Sequence, residues 1–342
     1  MKRIGLFGGS FDPIHTGHIE VAKQVRKQLA LHEVWFLPTV ETPLKKHLIA
    51  SFSQRCQMIQ LAIKPYSYFK LHQEESRLPQ PSYTINLVTY LQLKYPDVQF
   101  YWIIGDDQYE QLDKWYQIEE LKQKVQFVVV NRHLTAIEKN PDYKWVRIAP
   151  HPASSSAIRG GDFSYLYPTV VQYINDQVLY YSEFIDQYMS EYRYKHVLAM
   201  TELAVDLAKR HAANPNLAKL AGLLHDIAKD MPKEEAFLFM KDYFPEYQEE
   251  PEAIWHQYIG AYLAKHKFQV RNKQVLKAIY HHTLGTSSGL LSKIIYCADK
   301  TDDTRKYDKT YIRVQANENI HKGFILAKER AQQHQKEKES KR

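Results

Sequence analysis

The run Gly8-Gly9-Ser10-Phe11-Asp12-Pro13-Ile14-His15-Thr16-Gly17-His18 sets two glycines ahead of two histidines three residues apart. Glycines after an apolar stretch let backbone N–H groups approach a phosphate, and a helix that starts there adds positive potential. Histidines at this spacing share one side of a helix start. There two imidazoles can donate to triphosphate oxygens and stabilise charge building on a departing pyrophosphate. A Gly-Gly turn alone would read as an ordinary strand-to-helix connection; the histidine pair shifts the reading toward phosphate chemistry. A second set follows far downstream: His196, His225-Asp226, His256, His281-His282 and Asp299. A carboxylate within the apolar stretch Leu223-Leu224-His225-Asp226-Ile227-Ala228 costs free energy unless it is paired or bound to metal. Imidazole with carboxylate and no thiolate suits Mn, Fe, Zn or similar cations. Any one of these histidines alone reads as a surface residue, and His211, His266 and His321 are read as exposed helix histidines.

The elements that must position these groups differ between the two halves. Short apolar runs at Ile4 to Phe7, Val34 to Leu37, Phe69 to Leu71, Phe100 to Ile104 and Phe127 to Val130 predict buried strands. Helical spacing fills Gly17 to Leu31, Ser53 to Ile63 and Ser82 to Tyr95 between them. Alternation of this kind predicts a parallel α/β sheet with ligands at the carboxyl ends of its strands. Beyond about residue 180 only helical spacing remains, over Val197 to Ala208, Leu217 to Ala228, Pro251 to Lys265, Asn272 to His282 and Leu290 to Asp299, so the second half reads as all-α. The expected division is residues 1–182 and 186–330, with the boundary near Tyr181 to Asp186. A charged tail, from about Lys328 and set off as 331–342, is expected to be a fraying helix end or disordered.

The first motif resembles the HxGH nucleotidyltransferases, a Rossmann-like group, and later segments narrow the resemblance. Trp35-Phe36-Leu37-Pro38 with Pro43-Leu44-Lys45, Pro81-Ser82-Tyr83-Thr84, Ile103-Ile104-Gly105-Asp106-Asp107, Lys114-Trp115-Tyr116 and Ser154-Ser155-Ser156-Ala157-Ile158-Arg159 resemble, in order, the segments of bacterial nicotinate mononucleotide adenylyltransferase. One departure is visible: a histidine usual before the lysine is absent here. The resemblance implies transfer of AMP from Mg²⁺-bound ATP to nicotinate mononucleotide. It implies catalytic roles for His15, His18, Lys45 and Arg159, and ATP contacts from Gly8, Gly9, Ser10, Phe11, Gly105, Asp107, Ser155 and Ser156. It also places the mononucleotide against Tyr83, Thr84 and Trp115.

The second set, in the order H…HD…H…H…D, resembles the HD-domain phosphohydrolases, and within them the bacterial symmetrical diadenosine tetraphosphatases. Tyr194-Lys195-His196-Val197, Trp255-His256 with Gly260-Ala261-Tyr262-Leu263, His282-Thr283 with Gly285, and Tyr296-Cys297-Ala298-Asp299 carry this resemblance. It implies a helical bundle holding two divalent metals, iron as first choice with Mn or another open. His196, His225, Asp226 and Asp299 would hold one and His256 and His282 the other, with Asp226 shared. Lys229 and Arg305 would bind remaining phosphates of a substrate such as diadenosine tetraphosphate.

Composition bounds what else the chain can be. It has 342 residues, 44% of them hydrophobic, and a formal charge of +7, which favours anionic partners without choosing among them. The two cysteines, Cys56 and Cys297, give neither a disulfide framework nor a thiolate metal knuckle. The apolar start is too short for a signal sequence and no run spans a membrane, so a reducing cytoplasm is expected. Nucleic-acid binding rests on net charge alone, with no recognition motif behind it. A non-catalytic, nucleotide-binding regulatory role for the second half stays open, as do hydrolysis of another phosphorylated nucleotide and a homo-oligomer.

Overall fold

The computed structural model describes residues 1–40, 48–80, 82–131, 140–305 and 307–339. Lys45, with Pro43 and Leu44, and Pro81 lie outside the described residues. The chain forms two compact units: residues Met1–Ile158 with Ser164–Val170, and Arg159–Phe163 with Val171–Arg342.

In the first unit the described strands make a parallel six-stranded sheet in the order β3-β2-β1-β4-β5-β6: β1 (Lys2–Gly9), β2 (Glu33–Pro38), β3 (Phe69–Leu71), β4 (Val98–Gly105), β5 (Gln126–Asn131) and β6 (Lys144–Arg147). The last strand has only Trp145 and Val146 as apolar residues and was not anticipated. Central β1 and β4 are buried on both faces, which is why they read as continuous apolar runs rather than alternating ones. Between strands run α1 (Thr16–Gln28), α2 (Phe52–Ile63), α3 (Thr84–Lys94), α4 (Asp106–Tyr109) and α5 (Ile118–Lys124), and α6 (Ser155–Arg159) follows the sheet. Strand order reverses at β1 and β4, so the carboxyl ends of these two strands flank a switch-point crevice. Gly8-Gly9 and Gly105 are those ends.

The second unit is helical: α7 (Pro168–Gln177) enters it, followed by α8 (Glu191–Arg210), α9 (Pro215–Leu224), α10 (Lys233–Tyr243), α11 (Glu252–His266), α12 (Lys273–Tyr280), α13 (Leu290–Thr301), α14 (Thr310–Glu318) and α15 (Ile320–Glu339). Local sequence fixes several starts. Ser190, Asn214 and Asn272 each stand one residue ahead of a helix and accept its free backbone N–H groups. Helices α8 and α9 approach closely at Gly222, where a β-carbon would lie 2.6 Å from Thr201 Oγ1 and 3.1 Å from the Thr201 backbone. Any larger residue there would push apart the two helices that carry His196 and His225.

One expectation is corrected, at His211. The segment Tyr181 to Asp186 belongs to the second compact unit, where Phe163, Tyr181, Phe184 and Phe268 pack as one aromatic cluster, with Tyr181 Oη donating to Asn175 Oδ1 at 2.7 Å. Helix α15 runs to Glu339, and Phe324 and Ala327 are buried on its turns ahead of the charged tail. His211 is half-buried rather than exposed, with its Nε2 2.7 Å from the Ala316 carbonyl.

Candidate functional sites

At the first site, His15 caps α1 and His18 lies one turn on. The rings stack at 3.7 Å between centroids, and the His15 backbone N–H donates to His18 Nδ1 at 3.2 Å. A nitrogen that accepts a backbone proton carries none of its own, so neutral His18 holds its proton on Nε2 and keeps it as a donor. Phe7 and Phe11 brace the ring from beneath, at 6.1 and 5.0 Å. Phe11 is buried and takes a left-handed backbone conformation (φ 47°), so its side chain supports the site from below rather than facing a ligand. Gly8, Gly9 and Ser10 stay partly open above it.

The second half of this site is α6. Ser154 caps it, accepting the Ala157 N–H at 3.1 Å, and Ser155 Oγ donates to the Pro13 carbonyl at 3.0 Å. That bond brings the Ser155 helix start to the Gly8–His18 loop across 142 residues of chain. Ser156 is exposed at the same helix start, and Arg159 is half-buried at its end. Gly105 precedes α4, whose first residue, Asp106, is buried and accepts the Asp107 N–H at 3.1 Å; Asp107 itself is exposed. Tyr83 is 39% exposed and packs at 4.5 Å on Tyr116, while Trp115 is half-buried against the core and edge-on to Phe127. Thr84, half-buried, opens α3.

Two supports escaped sequence reading. Asp12 accepts the Ile49 and Ala50 N–H groups at 2.8 and 3.2 Å. Arg55 is 1% exposed, and its guanidinium donates to the carbonyls of Ser10 and Thr39, each at 2.7 Å, and of Ala50 at 3.2 Å. One buried arginine thus ties together the ends of β1 and β2 and the start of α2. Nothing in the sequence distinguishes it from a surface arginine. Arg55→Ala leaves three carbonyls without that donor and is expected to cost about 3 kcal/mol or more. Urea unfolding followed by tryptophan fluorescence checks this, since Trp35, Trp102, Trp115 and Trp145 of the five tryptophans belong to the first unit.

Beside it, two neighbouring glutamates are driven in opposite directions. Burial acts against the charge of Glu74, yet His72 and Lys94 prevail and hold it at about 2. Burial dominates at Glu75 and pushes it up to about 7, although the Val40 N–H donates to it at 3.1 Å and Arg55 is near. A carboxyl raised above its unfolded value of 4.5 makes folding costlier as pH rises from about 4.5 to about 7, with the full cost above that. Glu75→Gln should therefore match the native protein near pH 4.5 and exceed it by about 2–3 kcal/mol at pH 8 in the same unfolding measurement. An equal difference at both pH values would contradict the buried-acid account.

At the second site, α9 ends at Leu224. His225 is its cap and Asp226 begins the turn beyond, so the acid is not inside the helix as its apolar surroundings implied. His282 likewise lies just past α12, His196 in α8, His256 in α11 and Asp299 in α13. All six are nearly fully buried and all six converge. The ligand atoms of His196, His225 and Asp299 lie within 4.8 Å of one another, as do those of His225, Asp226 and His282. Asp226 faces both sides. Its Oδ2 lies 3.6 and 3.9 Å from Nε2 of His225 and His196, and its Oδ1 lies 3.4 Å from Nε2 of both His256 and His282.

Hydrogen bonds aim the rings. Nδ1 of His225 and of His282 lie 2.7 Å from the carbonyls of Gly222 and Ile279, which places the proton on Nδ1 and turns a bare Nε2 inward. Among the described residues the buried Nε2 of His225 makes no hydrogen bond, and Nε2 of His196 lies 3.2 Å from Asp299 Oδ1. A bare, unpaired imidazole nitrogen beside two carboxylates is costly without a cation, so the donor set fits a hard or borderline divalent metal. Burial alone would raise Asp226 and Asp299, but the imidazoles of His225, His282 and His256 hold Asp226, and Lys300, His196 and Arg305 hold Asp299, well below the usual carboxylate range. Burial lowers His225 to about 4, so it is a neutral ligand at pH 7.

The cations here are engaged. Arg193 Nη1 donates to Asp226 Oδ2 at 2.9 Å, Lys300 Nζ to Asp299 Oδ2 at 2.7 Å, and Arg305 Nη2 to Asp299 Oδ1. Lys229 Nζ bonds the Ala253 carbonyl at 2.9 Å and His256 Nδ1 at 3.2 Å, so it orients a histidine besides bringing charge. Arg193 and Lys300 were not singled out from sequence. Arg193 had a signal, since three residues before His196 it shares that helix face.

Together these features define a nucleotidyltransferase domain followed by a phosphohydrolase domain with a metal-ligand centre. Residues 6–161 match the cytidylyltransferase-like family and residues 193–304 the HD domain family. A Mycoplasma genitalium protein named "Probable nicotinate-nucleotide adenylyltransferase/Ap4A hydrolase" is 30% identical over 90% of this chain and 89% of its own length. The chain belongs to that two-domain nicotinate-nucleotide adenylyltransferase/Ap4A hydrolase family. A nicotinate-nucleotide adenylyltransferase of Bacillus mycoides is 42% identical over 53% of this chain and all of its own length. A solved HD superfamily hydrolase from Clostridium acetobutylicum is 29% identical, with a TM-score of 0.43 over 46% of this chain and 86% of that one. No helix among the described residues is long and apolar enough to cross a membrane.

Proposed function

We propose that the first unit transfers AMP from ATP to nicotinate mononucleotide, giving deamido-NAD and pyrophosphate, and that the second hydrolyses dinucleoside polyphosphates such as diadenosine tetraphosphate to ADP. The observation that carries the first reading is the stacked His15–His18 pair, with the His18 proton held on Nε2, beside a Gly-Gly loop to which the α6 start is tied. ATP arrives with Mg²⁺ on its triphosphate. Gly8, Gly9, Ser10, Ser155 and Ser156 take its phosphates, the Phe11 backbone completes that loop, and Gly105 and Asp107 take its ribose. Tyr83, Thr84 and Trp115 hold the mononucleotide. A phosphate oxygen of the mononucleotide attacks the α-phosphorus in line, the bond from α-phosphorus to the bridging oxygen breaks, and the departing pyrophosphate carries the negative charge that His18, His15, Lys45 and Arg159 stabilise. No covalent enzyme intermediate is required.

In the second unit His196, His225, Asp226 and Asp299 would hold one divalent cation, and His256 and His282 a second, with Asp226 between them; iron is the first choice and manganese the second. When bound, such cations polarise a phosphoanhydride and activate water. The chain's own part is to hold the carboxylates ionised, present bare Nε2 atoms, and bring Arg193, Lys229, Lys300 and Arg305 to the phosphates' charge. Two buried free thiols, Cys56 and Cys297, fit a reducing cytoplasm.

The test uses full-length protein with MgATP and either nicotinate or nicotinamide mononucleotide, with dinucleotide separated by chromatography. Formation with the nicotinate acceptor is expected to be faster, and no dinucleotide from either acceptor would overturn the first assignment. Release of ADP from diadenosine tetraphosphate with Fe²⁺ or Mn²⁺ tests the second. Nucleotide binding without turnover would make that unit a regulatory module instead.

A further inference from the structure

A third imidazole stands at the first site. A β-carbon on Gly17 would lie 3.1 Å from His15 Nδ1 and 3.2 Å from His151 Nδ1, so both rings stand close to the glycine of the histidine motif. His151 comes from the segment between β6 and α6 and is exposed. Its orientation is nonetheless fixed. The Ala153 N–H donates to its Nδ1 at 3.1 Å, and its ring packs edge-on against Tyr165 at 5.7 Å. With Nδ1 accepting, the neutral ring carries its proton on Nε2. Among the described residues that atom meets Thr16 Oγ1 at 3.5 Å, and the Thr16 hydroxyl already donates to the Tyr165 carbonyl at 3.0 Å. Among the described residues Nε2–H thus makes a long contact, at the N-terminus of α1, three residues ahead of the serines that open α6.

We propose that His151 Nε2 is a phosphate-binding donor on the ATP side of the site, taking an oxygen of the triphosphate that becomes pyrophosphate. This rests on the adenylyltransferase reading of the same site. A phosphate oxygen is a stronger acceptor than a hydroxyl already committed elsewhere, and a charge-assisted bond replaces a stretched one. His151 meets ATP as it binds and meets pyrophosphate in the product, so it acts mainly on affinity. His15 and His18 keep the transition-state role.

Full-length His151→Ala, His151→Phe and His151→Gln variants test this. Alanine and phenylalanine should raise KM for ATP about tenfold, leave kcat within about twofold, leave KM for the mononucleotide unchanged, and weaken inorganic pyrophosphate binding in parallel. Glutamine, whose amide can donate from a similar place, should restore most of the affinity. Native KM in the phenylalanine variant would overturn the proposal, because that ring keeps the Tyr165 packing and lacks the donor. A raised KM with unchanged pyrophosphate binding would overturn it as well, by placing the contact on the nucleoside. Pyrophosphate binding is read by calorimetry without turnover, so it decides the role of His151 even if the native protein formed no dinucleotide, an outcome that would sink the adenylyltransferase reading instead.

Discussion

Replacing His18 by alanine is expected to lower kcat for dinucleotide formation by about 10²–10³-fold, the scale of losing one preorganised donor to developing charge. The His18 ring is not free to choose its role. Its Nδ1 accepts the His15 backbone N–H and its ring packs against His15 and Phe11, which leaves the proton of the neutral ring on Nε2. Such a donor does little for bound ATP in its ground state and more as charge moves to the departing pyrophosphate, so kcat should fall far more than KM rises. The fold should survive. The ring is half-buried, and losing a backbone-to-imidazole bond costs about 1 kcal/mol. Initial rates with both substrates varied, and circular dichroism on the same samples, measure this. A variant with native kcat would remove His18 from the chemistry. Hydrolysis by the second unit serves as an internal control and should not change.

Asp226→Asn should abolish hydrolysis of diadenosine tetraphosphate and strip the second unit of metal, while adenylyl transfer continues. Asp226 alone places one oxygen toward His196 and His225 and the other toward His256 and His282. An amide keeps the shape, removes the charge, and can present only one oxygen, so both halves of the centre lose their shared ligand. Loss of a supporting contact outside a metal shell costs 10–100-fold in affinity or activity, and loss of a shared ligand should cost at least about 100-fold. Arg193 is also left facing a neutral group at its 2.9 Å contact. Metal per chain by elemental analysis and ADP release are the two measurements. Full metal content in the variant would show that Asp226 is not a bridging ligand, whatever happened to the rate.

Much of both sites was legible in sequence because their chemistry is local. The Gly8 to His18 loop, the serines ahead of Arg159 and the His225-Asp226 pair are contiguous, and helix spacing already sets which of their groups face together. Expectations weakened where burial could not be read from residue type. Asp226 seemed to be inside a helix because apolar residues surround it, but the helix ends at Leu224 and the apolar run continues through a buried turn. The β6 strand was missed because four residues with charged ends carry too little pattern. Lys229 was read as a phosphate ligand from its charge, yet it also bonds His256, a partner 27 residues away.

The sequence by itself determined the two domain types, the alternation that makes one sheet parallel, and the six residues that converge in the helical unit. Only the tertiary structure decided that Arg55 clamps the β1 and β2 ends, that Glu75 is a raised carboxyl beside the charged Glu74, and that His151 stands close to Gly17. The physical reason is range. Propensity and periodicity act over one or two helical turns, whereas desolvation and hydrogen-bond pairing depend on neighbours brought from tens of residues away. An arginine or a glutamate carries the same letter in water and in a core.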